Sequence, residues 1–342
     1  MKLDDMIISL CSIAGPSGFE DRAREAAGDM LAPFVDEIHT DVMGNLLAVK
    51  RCGKENAKSM LLDAHVDEIG MIVTGYAGGF LRFGNLGGID PRMLPAREVK
   101  IMTPEPMFGV IDTMPPHVLE AGEADKSIPA DKLFVDVGLS EDEVKKRVPL
   151  GTPIVFDGGC AHLGQSMLCG KALDDRSCVA IIIKAFEKLQ GKALDVDVWA
   201  LISTQEELGC RGAIPGAYGV HPDYAIALDV THAWTPDAKK HDTMELGKGA
   251  AVGVGPGMNR RLTDAIFAVA EAESIPVQTE VLPGNTGTNG WVIQVTREGV
   301  ATGLISLPVK YMHTPLETAA ISDAEACADL LAAFVQKAGE VL

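Results

Sequence analysis

Paired cysteines are missing from this 342-residue sequence. The seven cysteines are odd in number, and no two of them form a C-x-x-C motif. This pattern argues against a disulfide framework and against a zinc site built from cysteine thiolates. We therefore expect reduced thiols and a cytoplasmic protein.

Long apolar runs are missing as well. No stretch reaches the length of a membrane-spanning helix without a charge or a turn residue. The segment 1–6 carries two aspartates where a secretory signal would carry basic residues, so we expect no signal or transit segment. Hydrophobic residues still make up 47% of the chain, which is typical of a globular protein.

Positive charge is scarce. The chain has 30 basic and 48 acidic residues, and its formal net charge is −18. Such an excess of negative charge repels nucleic-acid phosphates and anionic lipids. We expect neither a nucleic acid nor a membrane as a partner, whereas many carboxylates are available for cations.

Helical and strand-like patterns alternate at both ends of the chain. Before residue 70, two helices precede three short strands, at 35–40, 45–50 and 59–64. After Gly158, the patterns predict helices at 174–189, 209–218, 259–272 and 290–297, and strands at 196–203, 224–228, 277–281 and 300–307. A last helix is predicted from the N-cap Ser322 to Val341. The alternation predicts an α/β three-layer sandwich around a mostly parallel sheet.

The region between these ends has a different composition. Nine of the 19 prolines lie between Pro91 and Pro153. Short strand-like pieces are separated by turn residues, at 79–83, 99–102, 108–111, 133–137 and 153–156, and one helix is predicted at 141–147. This pattern indicates a small β-rich, barrel-like insertion. We expect a catalytic domain formed by 1–69 plus 158–342, and an inserted domain at 70–157.

Polar side chains follow several of the predicted strands. The candidates are His65, Asp67, Glu206, Glu207, Asp229 and His313, and Asp174 begins a predicted helix. Each one alone has an ordinary explanation, such as a core histidine, a helix cap or a turn residue. Because sites in open α/β sheets form beyond the carboxyl ends of the strands, we expect these groups to share one crevice.

The number and type of these groups favour two metal ions. Two histidines with three or four carboxylates exceed the three protein ligands of a usual catalytic zinc. They suit two ions about 3.5–4 Å apart that share one carboxylate and activate a water. Zinc or cobalt fits best, and manganese is acceptable. One of the adjacent Glu206 and Glu207 would be a ligand and the other a general base.

Taken together, the motifs resemble those of the TET-type di-metal aminopeptidases, the family of glutamyl, leucyl and deblocking aminopeptidases. They occur in the family's order over nearly the whole chain: His65-x-Asp67, Leu173-Asp174-Asp175-Arg176, Glu206-Glu207-Leu208-Gly209, Leu228-Asp229 and His313-Thr314-Pro315. The resemblance implies hydrolysis of the N-terminal peptide bond of peptides. It also implies a homo-oligomer built from dimers through the inserted domain, up to a tetrahedral dodecamer.

The same resemblance implies a role for each residue. One metal ion would be held by His65, Asp174 and Asp229, and the other by Asp174, Glu207 and His313. Glu206 would be the general base. Asp67 would orient the His65 ring, and Asp175 would support the shared ligand or cap the helix.

Two loops, 284–290 and 253–257, lie outside these motifs. Asn289 stands where the resemblance leads us to expect an aspartate, and we hypothesise that its loop, 284–290, lines the substrate side. The stretch 253–257 is glycine-rich but follows no clear strand, and Pro256 lacks the N–H that a phosphate loop would use. We predict a turn there.

Three alternative functions account less well for these residues. A related deacylase or carboxypeptidase could use a similar ligand set, but its extra domain would come later in the chain. A glycosidase needs two carboxyl groups on either side of the bond, which the adjacent Glu206 and Glu207 serve poorly. A metal-stabilised peptide-binding scaffold predicts closed coordination with no spare base.

Overall fold

The computed structural model describes residues 1–114, 116–118 and 127–341. The α-helices of the described residues are α1 (Leu3–Cys11), α2 (Asp21–Leu31), α3 (Glu141–Arg147), α4 (Leu173–Lys188), α5 (Ala213–Val220), α6 (Arg260–Ala272), α7 (Gly290–Ile293), α8 (Ile321–Gln336) and α9 (Ala338–Val341). The strands are β1 (Glu37–Thr40), β2 (Leu46–Lys50), β3 (Ser59–His65), β4 (Gly70–Ala77), β5 (Phe80–Leu86), β6 (Arg97–Ile101), β7 (Met107–Asp112), β8 (Phe134–Asp136), β9 (Pro153–Phe156), β10 (Cys160–Leu163), β11 (Met167–Gly170), β12 (Asp197–Ser203), β13 (Tyr224–His232), β14 (Ala250–Val254), β15 (Val277–Val281), β16 (Ala301–Lys310) and β17 (Glu317–Ala320).

Eleven strands of the described part of the chain form one mixed sheet in the order β1-β2-β12-β3-β13-β16-β17-β11-β10, and β14 and β15 branch from β16. The central strands β12, β3, β13 and β16 are parallel, whereas both flanks pair antiparallel. The α/β class is therefore confirmed, and the expectation of a mostly parallel sheet holds only for the centre. Connections such as the one from β10 to β11 are too short for the crossover that parallel neighbours need.

The central strands contribute to two separate apolar clusters. In β3, Met60 and Leu62 share a cluster with Ile182 of α4, whereas Leu61 shares another with Ala217 of α5. Side chains alternate between the faces of a strand, so the two clusters lie on opposite faces of the sheet. Burial on both faces explains why these strands are almost continuously apolar.

Among the described residues between Gly70 and Phe156, six strands close a barrel in the order β4-β5-β8-β7-β6-β9. The barrel has its own apolar interior, which includes Met71, Leu81 and Val99. The prediction of a β-rich, barrel-like region is therefore confirmed. Sequence reasoning missed β4 because its glycines resemble turn residues. Gly75 lies instead at a β-bulge, where glycine is common. The domain boundaries stay a prediction, and residues 115, 119–126 and 342 within them lie outside the described part.

The predicted start of the last helix is wrong. Helix α8 begins at Ile321 after the cap residue Ala320, so Ser322 lies inside it. Strand β17 pairs as far as Ala320, and the Ile321 N–H donates to the Ser166 carbonyl, which brings the chain directly from strand to helix. The helix ends at Gln336, and α9 follows.

The predicted turn at 253–257 is wrong for its first two residues. Gly253 and Val254 belong to β14, which pairs with β15 and β16, and only 255–257 form a turn. A Cβ on Gly253 would lie 3.0 Å from the Leu304 Cβ, so the glycine lets β14 lie close to β16. The predicted helix at 290–297 is also shorter, since α7 ends at Ile293.

Within the described residues, no helix combines the length and the apolar character needed to cross a membrane. All seven cysteines are free thiols.

Candidate metal centre and active site

The predicted site residues gather at one edge of the parallel strands. His65 ends β3 and pairs with Ser203, the last residue of β12, so the Glu206–Glu207 turn begins beside it. A cleft of about 520 Å³ opens at this edge. The predicted residues that line it are His65, Asp174, Glu206, Glu207, Asp229 and His313.

Asp229 does not follow a strand, and that prediction is wrong. Strand β13 continues to His232, and its parallel pairing with β16 runs from Tyr224 opposite Ala301 to His232 opposite Val309. The β-branched residues after Asp229 favour this extension. The Asp229 side chain nevertheless lines the cleft.

Asp174 lies between the two histidines. Its Oδ1 is 3.1 Å from the Nε2 of His65, and its Oδ2 is 3.3 Å from the Nε2 of His313. The same His313 nitrogen is 3.4 Å from Oε1 of Glu207. One buried carboxylate therefore contacts a histidine from each of the two expected ligand sets.

Asp175 occupies a position that the sequence reasoning did not give it. Ligand-type atoms of His65, Asp175 and Asp229 lie within 4.8 Å of one another, and those of His65, Asp174 and Glu207 form a second such group. Asp175 Oδ2 accepts the main-chain N–H of His65 at 3.3 Å, and its Oδ1 has no hydrogen-bond partner in the described part of the chain. The structure thus brings His65 and Asp229 together, with Asp175 beside them.

Burial and mutual repulsion disfavour the charged form of most of these carboxylates. They raise the pKa of Glu207 to about 8 and the pKa of Asp175 and Asp229 well above the usual range. Asp174 differs, because hydrogen bonds from His313 and His65 outweigh its burial and hold its pKa below the usual range. Hydrogen bonding to Asp174 in turn raises the pKa of His313 to about 9.

This donor set fits divalent metal ions. Imidazole and carboxylate ligands suit zinc, cobalt and manganese. The lining of the cleft, as far as the chain is described, includes no lysine or arginine, so its three histidines are the only basic side chains there beside several buried carboxylates. Metal ions would supply the missing positive charge and allow the carboxylates to ionise.

Asp67 holds the turn that carries the two glutamates. Its carboxylate accepts the main-chain N–H of Glu206 at 3.0 Å, that of Glu207 at 3.2 Å, and the Ser17 hydroxyl. The Nδ1 atom of His65 is 3.1 Å from the Asp67 carbonyl oxygen and 3.4 Å from its carboxylate. The main-chain carbonyl is therefore the closer partner of the His65 ring.

Glu206 belongs to neither group of ligand-type atoms within the described residues. Its Oε1 accepts the thiol of Cys210 at 3.3 Å, and burial raises its pKa. A carboxylate beside the ligands, with a raised pKa and access to the cleft, has the properties of a proton acceptor.

Sequence reasoning missed Glu317. Its carboxylate accepts the main-chain N–H of Asp174 at 3.0 Å and that of His313 at 2.9 Å. The spacing of four residues from His313 could have indicated it, because metal ligands are commonly oriented by nearby carboxylates. Glu280 and Trp291 also line the cleft and carry no comparable signal.

The loop that contains Asn289 lies beside the cleft. Residues 285–288 line it, in agreement with the hypothesis for this loop. Asn289 itself is buried, and its Nδ2 donates to Ser203 Oγ at 2.8 Å. The unexpected residue therefore contacts the end of β12 rather than the open space of the cleft.

An α/β sheet whose strand ends hold histidines and carboxylates around an open cleft defines a metal-dependent hydrolase. The model of the M42 glutamyl aminopeptidase family matches residues 44–330. The lysyl aminopeptidase of Pyrococcus furiosus is 34% identical over 329 residues, which cover 94% of each chain. The chain therefore belongs to the M42 glutamyl aminopeptidase family. It is a metal-dependent aminopeptidase, which confirms the activity and the family that the motifs indicated.

Two solved structures are similar over nearly their whole length. An aminopeptidase from the archaeon Desulfurococcus kamchatkensis has 35% sequence identity and a TM-score of 0.92, covering 98% of this chain and 94% of that one. The TET1 peptidase of Pyrococcus horikoshii has 30% identity and a TM-score of 0.86, with coverage of 98% and 99%. That peptidase can assemble into a tetrahedron or a large octahedral shell.

Proposed function

We propose that this chain removes N-terminal residues from peptides with two divalent metal ions. The ligands would be His65, Asp174 and Asp229 for one ion, and Asp174, Glu207 and His313 for the other. The observation that carries the proposal is the contact of each Asp174 oxygen with a different histidine. Such a carboxylate could offer one oxygen to each of two ions. Asp175 lies beside His65 and Asp229, so it would support the site of the first ion.

Glu206 is the proposed general base. When bound, two such ions would lower the pKa of a water and polarise a peptide carbonyl. Because Cys210 occupies Oε1 of Glu206, Oε2 is the atom that would accept the proton of the attacking water. Its raised pKa makes Glu206 a stronger acceptor for that proton. Glu206 would then pass the proton to the leaving amine.

Asp67 acts in this proposal by positioning other groups. It holds the main-chain N–H groups of Glu206 and Glu207 and keeps the base and the ligand at fixed places on one turn. Loss of Asp67 would therefore displace both glutamates together.

The proposed organisation is a catalytic domain of 1–69 plus 158–342, arranged as a three-layer sandwich, with an inserted domain at 70–157. The apolar clusters on both faces of the sheet support the sandwich. We propose that the inserted domain serves oligomerisation and substrate access in a homo-oligomer. Exposed apolar side chains on the barrel, Phe80, Phe108 and Met114, support this role, as does the shell formed by the Pyrococcus horikoshii peptidase.

Zinc or cobalt is the proposed metal, because imidazole and carboxylate ligands bind both. A cytoplasmic location is proposed on the seven free thiols.

Hydrolysis of a peptide panel tests the function. Free and N-acetylated versions of each peptide are incubated with chelated protein and again after addition of zinc, cobalt or manganese. Metal-dependent release of single residues from free peptides supports the proposal. Cleavage restricted to acetylated peptides would indicate a deacylase, and metal binding without any cleavage would indicate a scaffold.

A further inference from the structure

Glu317 is a buried carboxylate that none of the proposed catalytic steps uses. Only 2% of it is exposed, at the start of β17. Its Oε2 accepts the main-chain N–H of Asp174 at 3.0 Å, and its Oε1 accepts that of His313 at 2.9 Å. One side chain thus joins the start of α4 to the loop after β16.

Both joined residues have backbone conformations that regular secondary structure does not stabilise. His313 has φ +61°, in the left-handed region that non-glycine residues occupy only where surrounding contacts hold them. Asp174 has φ −78° and ψ 104°, which are not helical angles although the residue lies in the first turn of α4. Glu317 provides a hydrogen-bond acceptor to the main chain at both places.

Glu317 is itself held by the sheet. Its backbone pairs with Gly170 of β11, so its side chain extends from a fixed strand. From that strand it brings the main chains of Asp174 and His313 to one carboxylate. The side chains of these two residues then meet, with Asp174 Oδ2 3.3 Å from His313 Nε2.

We propose that Glu317 is a positioning residue for the metal ligands Asp174 and His313. Glu317 sets the distance between the main chains of Asp174 and His313. That distance determines whether their side chains can bind the same metal ion. This inference rests on the proposed function, because it takes Asp174 and His313 as ligands. Groups that orient metal ligands typically change metal affinity 10–100-fold when they are removed.

Metal titration of Glu317→Gln tests the proposal. Glutamine keeps the size but replaces one carboxylate oxygen with an NH₂ group, which must face the N–H of either Asp174 or His313. We expect the affinity of the chelated full-length chain for Co²⁺ to fall about 10–100-fold for at least one of two ions. Titration calorimetry and the visible absorption of bound Co²⁺ measure this directly. Activity should recover as the Co²⁺ concentration is raised.

Asp323→Asn is a matched control. Asp323 is also buried, and its carboxylate accepts two main-chain N–H groups, those of Gly247 at 2.7 Å and Gly249 at 2.8 Å. It does not line the cleft. We expect this variant to lose thermal stability and to keep the Co²⁺ affinity of the wild-type chain.

A second variant covers the case in which glutamine prevents folding. Glu317→Asp keeps the charge, but the side chain is one methylene shorter and reaches only one of the two N–H groups. We expect a smaller loss of Co²⁺ affinity than for Glu317→Gln, with circular dichroism to verify folding.

The outcomes separate this inference from the proposed function. Wild-type Co²⁺ affinity at both positions in a folded Glu317 variant would overturn the positioning role, and so would an equal loss in Asp323→Asn. If the chelated wild-type chain does not bind two Co²⁺ ions, the proposed function itself fails, whatever the variants do.

Discussion

The substitution Glu206→Gln isolates the proton-transfer step. Glutamine has nearly the same shape, and its amide oxygen can still accept the Cys210 thiol that contacts Oε1 at 3.3 Å. The hydrogen bond from the Glu206 main-chain N–H to the Asp67 carboxylate does not involve the Glu206 side chain and is unaffected. The substitution removes the negative charge and, with it, the ability of Oε2 to accept a proton.

The expected fall in kcat follows from the loss of the general base. A positioned general base contributes about 10²–10⁴-fold to the rate, which corresponds to about 2.7–5.4 kcal/mol at about 1.36 kcal/mol per tenfold. We expect kcat for a free peptide to fall by this factor. Two metal ions per chain should remain bound, because the substitution changes none of the proposed ligands. Steady-state kinetics at saturating metal, with metal analysis of the dialysed protein, measure both quantities.

Glu271→Gln is the control, since Glu271 is an exposed glutamate on α6. It should leave kcat unchanged. A Glu206→Gln chain with two bound ions and more than about a tenth of the wild-type kcat would refute the general-base role. Loss of a metal ion from that chain would instead move Glu206 into the ligand set.

Three further predictions concern metal binding, packing and pH. Asp174→Asn removes the charge between the two histidines, so bound metal and activity should be lost together; two ions retained after dialysis would contradict the shared ligand. Gly249→Ala should lower the free energy of unfolding by about 2–4 kcal/mol in urea denaturation, since φ is +91° and a Cβ would overlap the Pro276 carbonyl oxygen. Gly219→Ala is its control. A Cβ at this position in α5 would have no atom within 4 Å, so the free energy of unfolding should stay the same or rise. Burial raises the pKa of Glu280 in the folded chain. Above that pKa the buried charge lowers the free energy of unfolding. Below the pKa of an unfolded glutamate, about 4.3, Glu280 is protonated in both states and this loss of stability disappears. In chelated protein, Glu280→Gln should therefore gain stability over the wild-type chain between pH 4 and pH 8, and a constant difference would contradict this.

Local pattern determined a large part of the fold. The helix predicted at 141–147 is α3, and the strand predicted at 277–281 is β15, with the same bounds. Helix α3 depends on interactions between residues near in sequence, such as the Ser140 N–H that donates to Glu143 Oε2 at 3.0 Å. The residue types of the site were likewise visible, because histidines and carboxylates after apolar strands are unusual enough to notice.

Two strands that were missed or cut short depend on partners far away in the sequence. Strand β14 contains a glycine and forms because β15 and β16 pair with it. Strand β13 extends past Asp229 because β16 offers partners up to Val309. Local propensity carries no information about either partner.

The geometry of the site was decided by tertiary structure alone. The sequence by itself determined that His65, Asp174 and His313 are present, and the resemblance of their motifs indicated the family. The parallel register, the contact of both Asp174 oxygens with histidines, and the carboxylate of Glu317 between two main chains all join residues far apart in sequence. Such contacts form only when the whole sheet is assembled, because hydrophobic periodicity specifies which face of an element is buried and not which distant side chain it will meet.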